Sequence, residues 1–529
     1  MSRISIFGSR ERKGGLNLCL SILIGLALLA GSITAVSAAE IKLKGYMDFG
    51  FFWNGNRAFQ PKSNSDGRSF SRDDIFDVKQ RLRWQVDFVA GPDLSGTAQF
   101  EIGDVRWGRA GDTWGAALDG RGRGGALGTD GVIVETRYLY LDWVVLETDL
   151  SLRMGLIPYA LPNFANGRKG GSAIIDDDLA GLTASYSFNE NISASLTWLR
   201  PWNPFANGAA KERARWDHDA IDLFALTVPL TFLDNGLEIT PWAMYGAIGQ
   251  VDTDYSRGGD DIGLSFSGTG LLGSGGQAWW TGISIDLEYW EPAFFAIDLM
   301  YGAYDSAEPE MYAGYRRADN MPDYGASGAY LGNADNRRGG WALSAMLGLK
   351  LDDLKPMFFG WYGSGIKDAY ADNLFDGLMP VVSPDWGYTS FGWTNYYGNL
   401  RYGIVNGNNI IGTWGVGIGL ENIKILPELS TSFRAVYFRG TNDSSLGRMA
   451  NFHDRKAGQA GTHLYTTKDH GLEFNLDTVY ELMSNLSLYN QLGYIHLDIA
   501  DVWNQAHTVK YDNKTRDAWE AAVGLRYTF

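Results

Sequence analysis

The sequence predicts an all-β fold: a transmembrane antiparallel β-barrel of about eighteen strands, with short periplasmic turns and long extracellular loops. Three observations predict it. Apolar and polar side chains alternate with a period of two in stretch after stretch, connections alternate between short and long, and no apolar run after Ala30 is long enough for a spanning helix.

The first forty residues are of a different kind. Arg3, Arg10, Arg12 and Lys13 precede an apolar run from Leu16 to Ala30, and small residues Ser37, Ala38 and Ala39 precede Glu40. That order describes a cleavable signal peptide over 1–39, cut after Ala38 or Ala39, which leaves 40–529 as one barrel domain. The run falls short of the roughly 20 residues that a membrane anchor needs. The only cysteine, Cys19, lies inside this segment, and its neighbours Asn17 and Leu18 do not make a lipoprotein cleavage site, so no disulfide is expected in the mature chain. Removing the segment shifts the formal charge from −16 to −19, because it carries four basic residues and one acidic. A surface this acidic argues against nucleic acid as a partner.

The mature chain opens with "EIKLKGYMDFGFFWN", where Ile41, Leu43, Met47, Phe49, Phe51 and Trp53 alternate with Lys42, Lys44, Tyr46 and Asp48. The next strand, "DVKQRLRWQVDF", sets Val78, Leu82, Trp84, Val86 and Phe88 against Lys79, Arg81, Arg83, Gln85 and Asp87. Three charges in a row on one face would be hard to bury in a dry core. Further strands are expected near 94–104, 132–145, 149–158, 179–188, 191–199, 220–230, 237–248, 278–289, 293–304, 340–350, 355–366, 410–421, 428–439, 470–482, 486–499 and 516–529. The total is eighteen, or sixteen if the weakest pair, around 179–199 or 220–248, is misread.

The links sort into two sets. Short ones read "GPD" (91–93), "ETD" (147–149), "NEN" (189–191), "LDNG" (233–236), "EP" (291–292), "DDL" (352–354), "NIKILP" (422–427) and "MSN" (483–485), all with tight-turn chemistry. The links between them are long and polar, roughly 54–74, 105–131, 159–178, 200–219, 249–277, 305–339, 367–409, 440–469 and 500–515. Structureless links above about 15 residues are uncommon in a sandwich, whereas a membrane barrel has this asymmetry as a rule. An even strand count returns both ends to the short-turn side. Leu472, Phe474, Leu476, Tyr480 and Leu482, with Ile283, Ile285, Leu287 and Tyr289, are then expected to face lipid. Their neighbours Glu473, Asn475, Asp477, Glu481, Ser284, Asp286 and Glu288 are expected to face lumenal water. The nineteen tryptophans and twenty-seven tyrosines suit aromatic girdles at the two interfaces. A soluble sandwich or β-helix would leave charges filling one side of many strands with nothing to neutralise them.

The chain ends on "WEAAVGLRYTF", alternating through Trp519, Ala521, Val523, Leu525, Tyr527 and Phe529. In a closed barrel this strand pairs with the one that starts at Glu40. Leu525, Tyr527 and Phe529 resemble the C-terminal assembly signal of bacterial outer-membrane barrels. The opening stretch, "VETRYLYLDW" and "LSLRMGLIPYALP" are similar to the large trimeric outer-membrane porins of sulfate-reducing bacteria. The resemblance implies a homotrimer of water-filled channels in the bacterial outer membrane, passing small hydrophilic solutes and ions by passive diffusion. Implied partners are outer-membrane lipid, lipopolysaccharide and the barrel assembly machinery; no cofactor, metal or catalytic residue is implied.

In general porins the third long loop narrows the lumen opposite a basic wall. Here that loop is "YALPNFANGRKGGSAIIDDD", ending in Asp176, Asp177 and Asp178, and the period-two reading points Lys79, Arg81, Arg83, Arg137, Arg153 and Arg526 inward. Acidic loop against basic wall would set a field across the narrowest point. The plainer alternatives are lumenal salt bridges that brace the barrel and a solvated loop end. Trimer contacts are expected from Phe49, Phe51 and Trp53, with the Gly-rich stretch 108–131 as a latch to a neighbour.

Other chemistry has less support. "DWGYTSFGWTNYYGN", 385–399, is the densest aromatic loop and is expected to pack on the barrel rim rather than stack sugars. "DTDYSRGGDD", 252–261, has carboxylates spaced as for calcium, though a solvated acidic loop is the simpler reading. His218, His453, His463, His470, His496 and His507 stand in no HExxH pattern. A substrate-specific channel for sugars, oxyanions or organic acids, an outer-membrane enzyme and an adhesive surface protein remain as rival readings.

Overall fold

The structure is a computed structural model that describes residues 39–55, 74–107, 134–166, 171–202, 220–249, 276–306, 337–368, 376–393, 409–445, 465–498 and 515–529. The segment 1–39 expected to be a signal peptide, apart from Ala39, the stretches 108–131 and 252–261, and His218, His453, His463 and His507 lie outside these residues.

Alternation in the sequence is realised as strands, in chain order β1 Glu40–Gly55, β2 Asp74–Val89, β3 Leu94–Arg106, β4 Val134–Val144, β5 Leu150–Ala160, β6 Asp176–Asn189, β7 Ile192–Trp202, β8 Ile221–Thr227, β9 Leu230–Phe232 and β10 Leu237–Ile248. They continue as β11 Gly276–Leu287, β12 Ala293–Ser306, β13 Arg338–Leu349, β14 Lys355–Gly363, β15 Thr413–Leu426, β16 Leu429–Gly440, β17 His470–Met483, β18 Leu486–Asp498 and β19 Thr515–Thr528. Each is antiparallel to its neighbours, and β19 pairs with β1 to close the ring.

Nineteen segments make eighteen staves. β8 and β9 are one stave in line, since both lie between β7 and β10. The sequence reads this stave as the unbroken strand 220–230. It breaks at Pro229, which has no N–H to give to the ladder, while Val228 N–H still reaches Pro241 O at 3.0 Å. A second departure lies at 422–427, read as a turn. There β15 continues to Leu426 through a register shift between Leu420 and Ile423, with Asn422 at φ 54°, and the turn is Pro427–Glu428.

Eight short turns, at 90–93, 145–149, 190–191, 233–236, 288–292, 350–354, 427–428 and 484–485, gather at one end of the barrel. On the outer face Trp519, Val523, Leu525, Tyr527 and Phe529 are exposed, whereas Ala518, Glu520 and Ala522 on the alternate positions are buried. Toward the other end an aromatic belt runs through Trp53 and Phe76 (ring centroids 5.1 Å apart), Tyr245 and Trp279 (4.4 Å), Trp341 and Tyr362 (4.7 Å), and Trp414 and Tyr437 (5.7 Å). Phe88, Tyr186, Phe188, Phe232, Tyr289, Trp290 and Phe529 are exposed toward the short-turn end. Ten residues separate Trp519 from Phe529, which at about 3.4 Å each and a tilt of about 40° spans roughly 26 Å, the height of a bilayer's apolar layer. A closed sheet with an apolar outer band between two aromatic girdles is a membrane-spanning β-barrel.

The seam runs from Tyr46↔Thr528 to Gly55↔Trp519. Beyond it Gly45 and Phe529 exchange two backbone hydrogen bonds of 2.9 Å, and the Phe529 ring lies over Gly45 where a Cβ would collide with it. Deleting Phe529 removes both bonds, about 2 kcal/mol at roughly 1 kcal/mol each. The yield of folded, heat-modifiable barrel is expected to fall several-fold; wild-type yield would show that the seam does not need this residue.

Candidate functional site

The inner face of β2 presents Lys79, Arg81 and Arg83 because their outward neighbours Val78, Leu82 and Trp84 belong to the apolar band. One carboxylate on β3 gathers this wall. Glu101, the register partner of Arg83, pairs with its guanidinium, lies 3.8 Å from Arg81 and takes a 3.4 Å hydrogen bond from Arg137. Arg137 arrives through a bulge: Gln99 pairs with Tyr138 and Phe100 with Thr136, so Arg137 is the extra residue and turns inward with Tyr138. Its other nitrogen meets Asp178 at 2.5 Å. Lys79 is buried, its ammonium 5.7 Å from the Phe52 ring centroid.

The remaining sequence-predicted cations divide. Arg526 forms a two-pronged pair with Asp48 (2.6 and 2.7 Å), and Asp48 is also the register partner of Arg81. Arg526, Asp48 and Arg81 therefore share one row across the seam. Arg153 stands apart near the short-turn end, paired with Asp142 (2.7 and 3.0 Å) and stacked on Tyr140.

The acidic triplet also divides. Asp178 meets the wall, while Asp177 accepts a hydrogen bond from Ser383 Oγ at 2.9 Å and Asp176 donates its N–H to Ser383 O at 2.7 Å. The reason lies in the ladders around β5. β4 and β5 are paired only between Leu139↔Leu156 and Val144↔Ser151, whereas β5 and β6 stay paired up to Ala160↔Asp176. Above Leu139 the β5–β6 pair parts from β4 and leads its loop into the lumen.

That loop crosses to the far wall. Asp298 on β12 accepts hydrogen bonds from Phe164 N–H (2.9 Å) and Ala165 N–H (2.6 Å), and Ser284 on β11 donates to Pro162 O at 3.1 Å. A second segment, 376–393, follows it inward. Ile174 O accepts from Val382 and Ser383 N–H, Ser172 O from Asp385 N–H, and Tyr388 Oη donates to Ala165 O at 2.7 Å. Burial, with Asp298 close by, pushes the Tyr388 phenol well above its ordinary pKa and keeps it a neutral donor.

Two sequence expectations are corrected here. The aromatic loop does not sit on the rim: its described part, 385–393, lies inside the barrel with Trp386, Tyr388, Phe391 and Trp393 fully buried. They pack against inward side chains of the wall, Tyr388 stacking on Phe359 at 4.2 Å and Trp393 meeting Trp361 (5.0 Å) and Phe438 (4.8 Å) edge-on. Among the described residues of this loop, none of these four rings keeps an exposed face for a sugar to stack on. Glu473, Asn475 and Ser284 do point inward, but this lining covers them instead of water.

A signal for the lining was present. On β14, Met357, Phe359 and Trp361 face inward while Phe358 and Tyr362 face outward, so both faces are apolar, as in a strand covered on both sides. Gly415, Gly417 and Gly419 on β15 leave room for those three side chains.

The lumen is thus divided. Inward residues of β10–β18 beneath the loops are buried, whereas Arg81, Arg83, Gln85, Gln99, Arg137, Tyr138 and Tyr140 on β2–β4 keep partial exposure. Among the described residues the open strip follows the β1–β7 wall. His470 and His496 lie elsewhere, on the outer face beside Asp498 (3.8 Å) and Asp517 (2.7 Å).

No protein-family model and no curated protein matches the chain. Among solved structures it is similar to the outer membrane protein OprD from Pseudomonas aeruginosa (TM-score 0.47, 9% identity, 93% of this chain and 95% of that one). It is also similar to OccAB4 of Acinetobacter baumannii (TM-score 0.46, 10% identity, 93% and 99%) and to the outer membrane channel DcaP of Acinetobacter baumannii (TM-score 0.40, 10% identity, 94% and 99%). The barrel stands on its own strand pairing, not on these likenesses.

Glu101 is nearly inaccessible and shared by three guanidiniums, so Glu101→Gln leaves their charge without its common counter-ion. Breaking a buried pair costs about 3–5 kcal/mol. Denaturant unfolding in micelles is expected to show a loss of that size, against a change below about 0.5 kcal/mol for the exposed Glu135→Gln on the paired strand. Equal effects would mean that Glu101 does not hold the wall.

Proposed function

We propose that the protein is an outer-membrane porin, a passive channel for small hydrophilic solutes and ions, of the trimeric type seen in sulfate-reducing bacteria. The observation that carries this reading is the lumen itself: a strip of partly exposed, charged and hydrogen-bonding side chains runs down one wall of a closed barrel whose outer face is apolar. Export by the signal peptide over 1–39 and insertion by the barrel assembly machinery bring the chain to the membrane. Lipid and lipopolysaccharide then surround it, and Phe49, Phe51 and Trp53 supply subunit contacts.

Passage needs no chemistry on the solute. A solute following the strip meets Arg81, Arg83 and Arg137 together with their counter-ions Glu101 and Asp178 along the same wall, a fixed field that sorts by size, charge and dipole. Part of each cation's charge is met by Glu101 or Asp178, so these residues brace the wall and shape the field together.

Removing a positive charge from the narrow zone biases it toward cations, whatever the starting preference. Arg83→Ala and Arg137→Ala are each expected to shift the reversal potential under a salt gradient in the cation direction, with a smaller shift at high salt. An unchanged potential in both would remove these residues from the narrow zone. A second reading, a substrate-specific channel, draws on the ordered chain in which Gln99 Nε2 donates to Gln85 Oε1 (3.0 Å) and Gln85 Nε2 to Asp87 Oδ1 (2.7 Å). Conductance blocked by millimolar amounts of one solute would favour it over general diffusion.

A further inference from the structure

The inner face of β17 carries three adjacent polar residues, Glu473, Asn475 and Asp477, and all three serve one turn. Glu473 Oε1 accepts from Gly392 N–H at 2.8 Å and from Asn475 Nδ2 at 2.8 Å, and Glu473 Oε2 accepts from Thr389 Oγ1 at 3.1 Å. The Ser390 hydroxyl lies 2.8 Å from Asn475 Oδ1 and 2.9 Å from Asp477 Oδ1. Trp393 N–H closes the turn onto Thr389 Oγ1 at 3.2 Å.

The fit leaves no slack. A Cβ on Gly392 would overlap the Glu473 carboxylate, and one on Gly493 of β18 would meet Phe391 Cβ at 2.5 Å. Glu473 is fully buried and, among the described residues, no cation is one of its hydrogen-bond partners, so its charge is met by these donors. Turn and carboxylate each lack a good alternative to the other.

We infer that Glu473 sets the width of the conduit. By holding the 389–392 turn against β17 it fixes the segment 376–393 as a permanent filling of one side of the lumen, and through Tyr388–Ala165 and Ile174–Val382 it also steadies the inward loop between β5 and β6. Glu473 is a positioning residue: it meets the loop and not the solute. The inference rests on the channel reading above.

Single-channel recording of the purified, membrane-extracted protein tests it, with the size of polyethylene glycol that enters the pore as a second readout. Glu473→Gln offers an amide N–H to a site built of donors, and Gly392→Ala drives the turn off the wall from the other side. Both are expected to raise conductance about twofold, in step with the open cross-section, and to admit larger polymers. Thr389→Val, which removes one donor without adding bulk, is read in the same way if the first two variants do not assemble. Unchanged or lower conductance in the folded variants overturns the inference while leaving the channel reading intact. A wild-type protein that conducts no ions overturns the channel reading and this inference with it.

Discussion

The structure depends on one constraint: inside hydrocarbon there is no water to satisfy a backbone N–H or C=O, so the sheet must have no edge. The pairing of β19 with β1 meets it. Everything else follows from that closure. Eighteen staves enclose a space too wide for their own side chains to fill, and alternation along each stave sends every second residue to that space.

How the space is used differs from one side to the other. On the far side, β10–β18, two inward loops bring their own apolar side chains and make a dry core of stacked aromatics within the barrel. Buried acceptors at Asp298 and Glu473 take the N–H groups of Phe164, Ala165 and Gly392, so these backbone donors are met inside the core. On the near side the wall stays polar, and its arginines are shared among Glu101, Asp178, Asp48 and Asp142. Fixed ion pairs beside an open strip give a rigid field at little cost in order, since each guanidinium is held by its partner.

The barrel was legible in the sequence because period two, turn chemistry and link length are local properties, and all three agree along the chain. Leu525, Tyr527 and Phe529 on the lipid side and Arg526 on the inner side follow from parity alone. The site was legible in part. Arg81 and Arg83 follow from alternation, but Arg137 sits at a bulge, and only the two-against-one register explains why both it and Tyr138 turn inward. The division of the acidic triplet, Asp178 to the wall and Asp177 to Ser383, depends on where β4 and β5 part, a long-range fact with no local mark. The inward course of 385–393 is the clearest miss. Glycines at 415, 417 and 419 opposite Met357, Phe359 and Trp361 were the signal, and it reads as a filled lumen only once the pairing of β14 with β15 is known.

The division of the lumen into a dry half and a wet strip is tested most directly by thiol labelling, since the chain's only cysteine is at position 19. Single cysteines at Gln85 and Tyr140 on the near wall, and at Ser284 and Ser344 beneath the loops, are compared in membranes with a small charged methanethiosulfonate. The account predicts rapid modification at 85 and 140, with a change in conductance, and protection at 284 and 344. Equal rates at all four positions would contradict it.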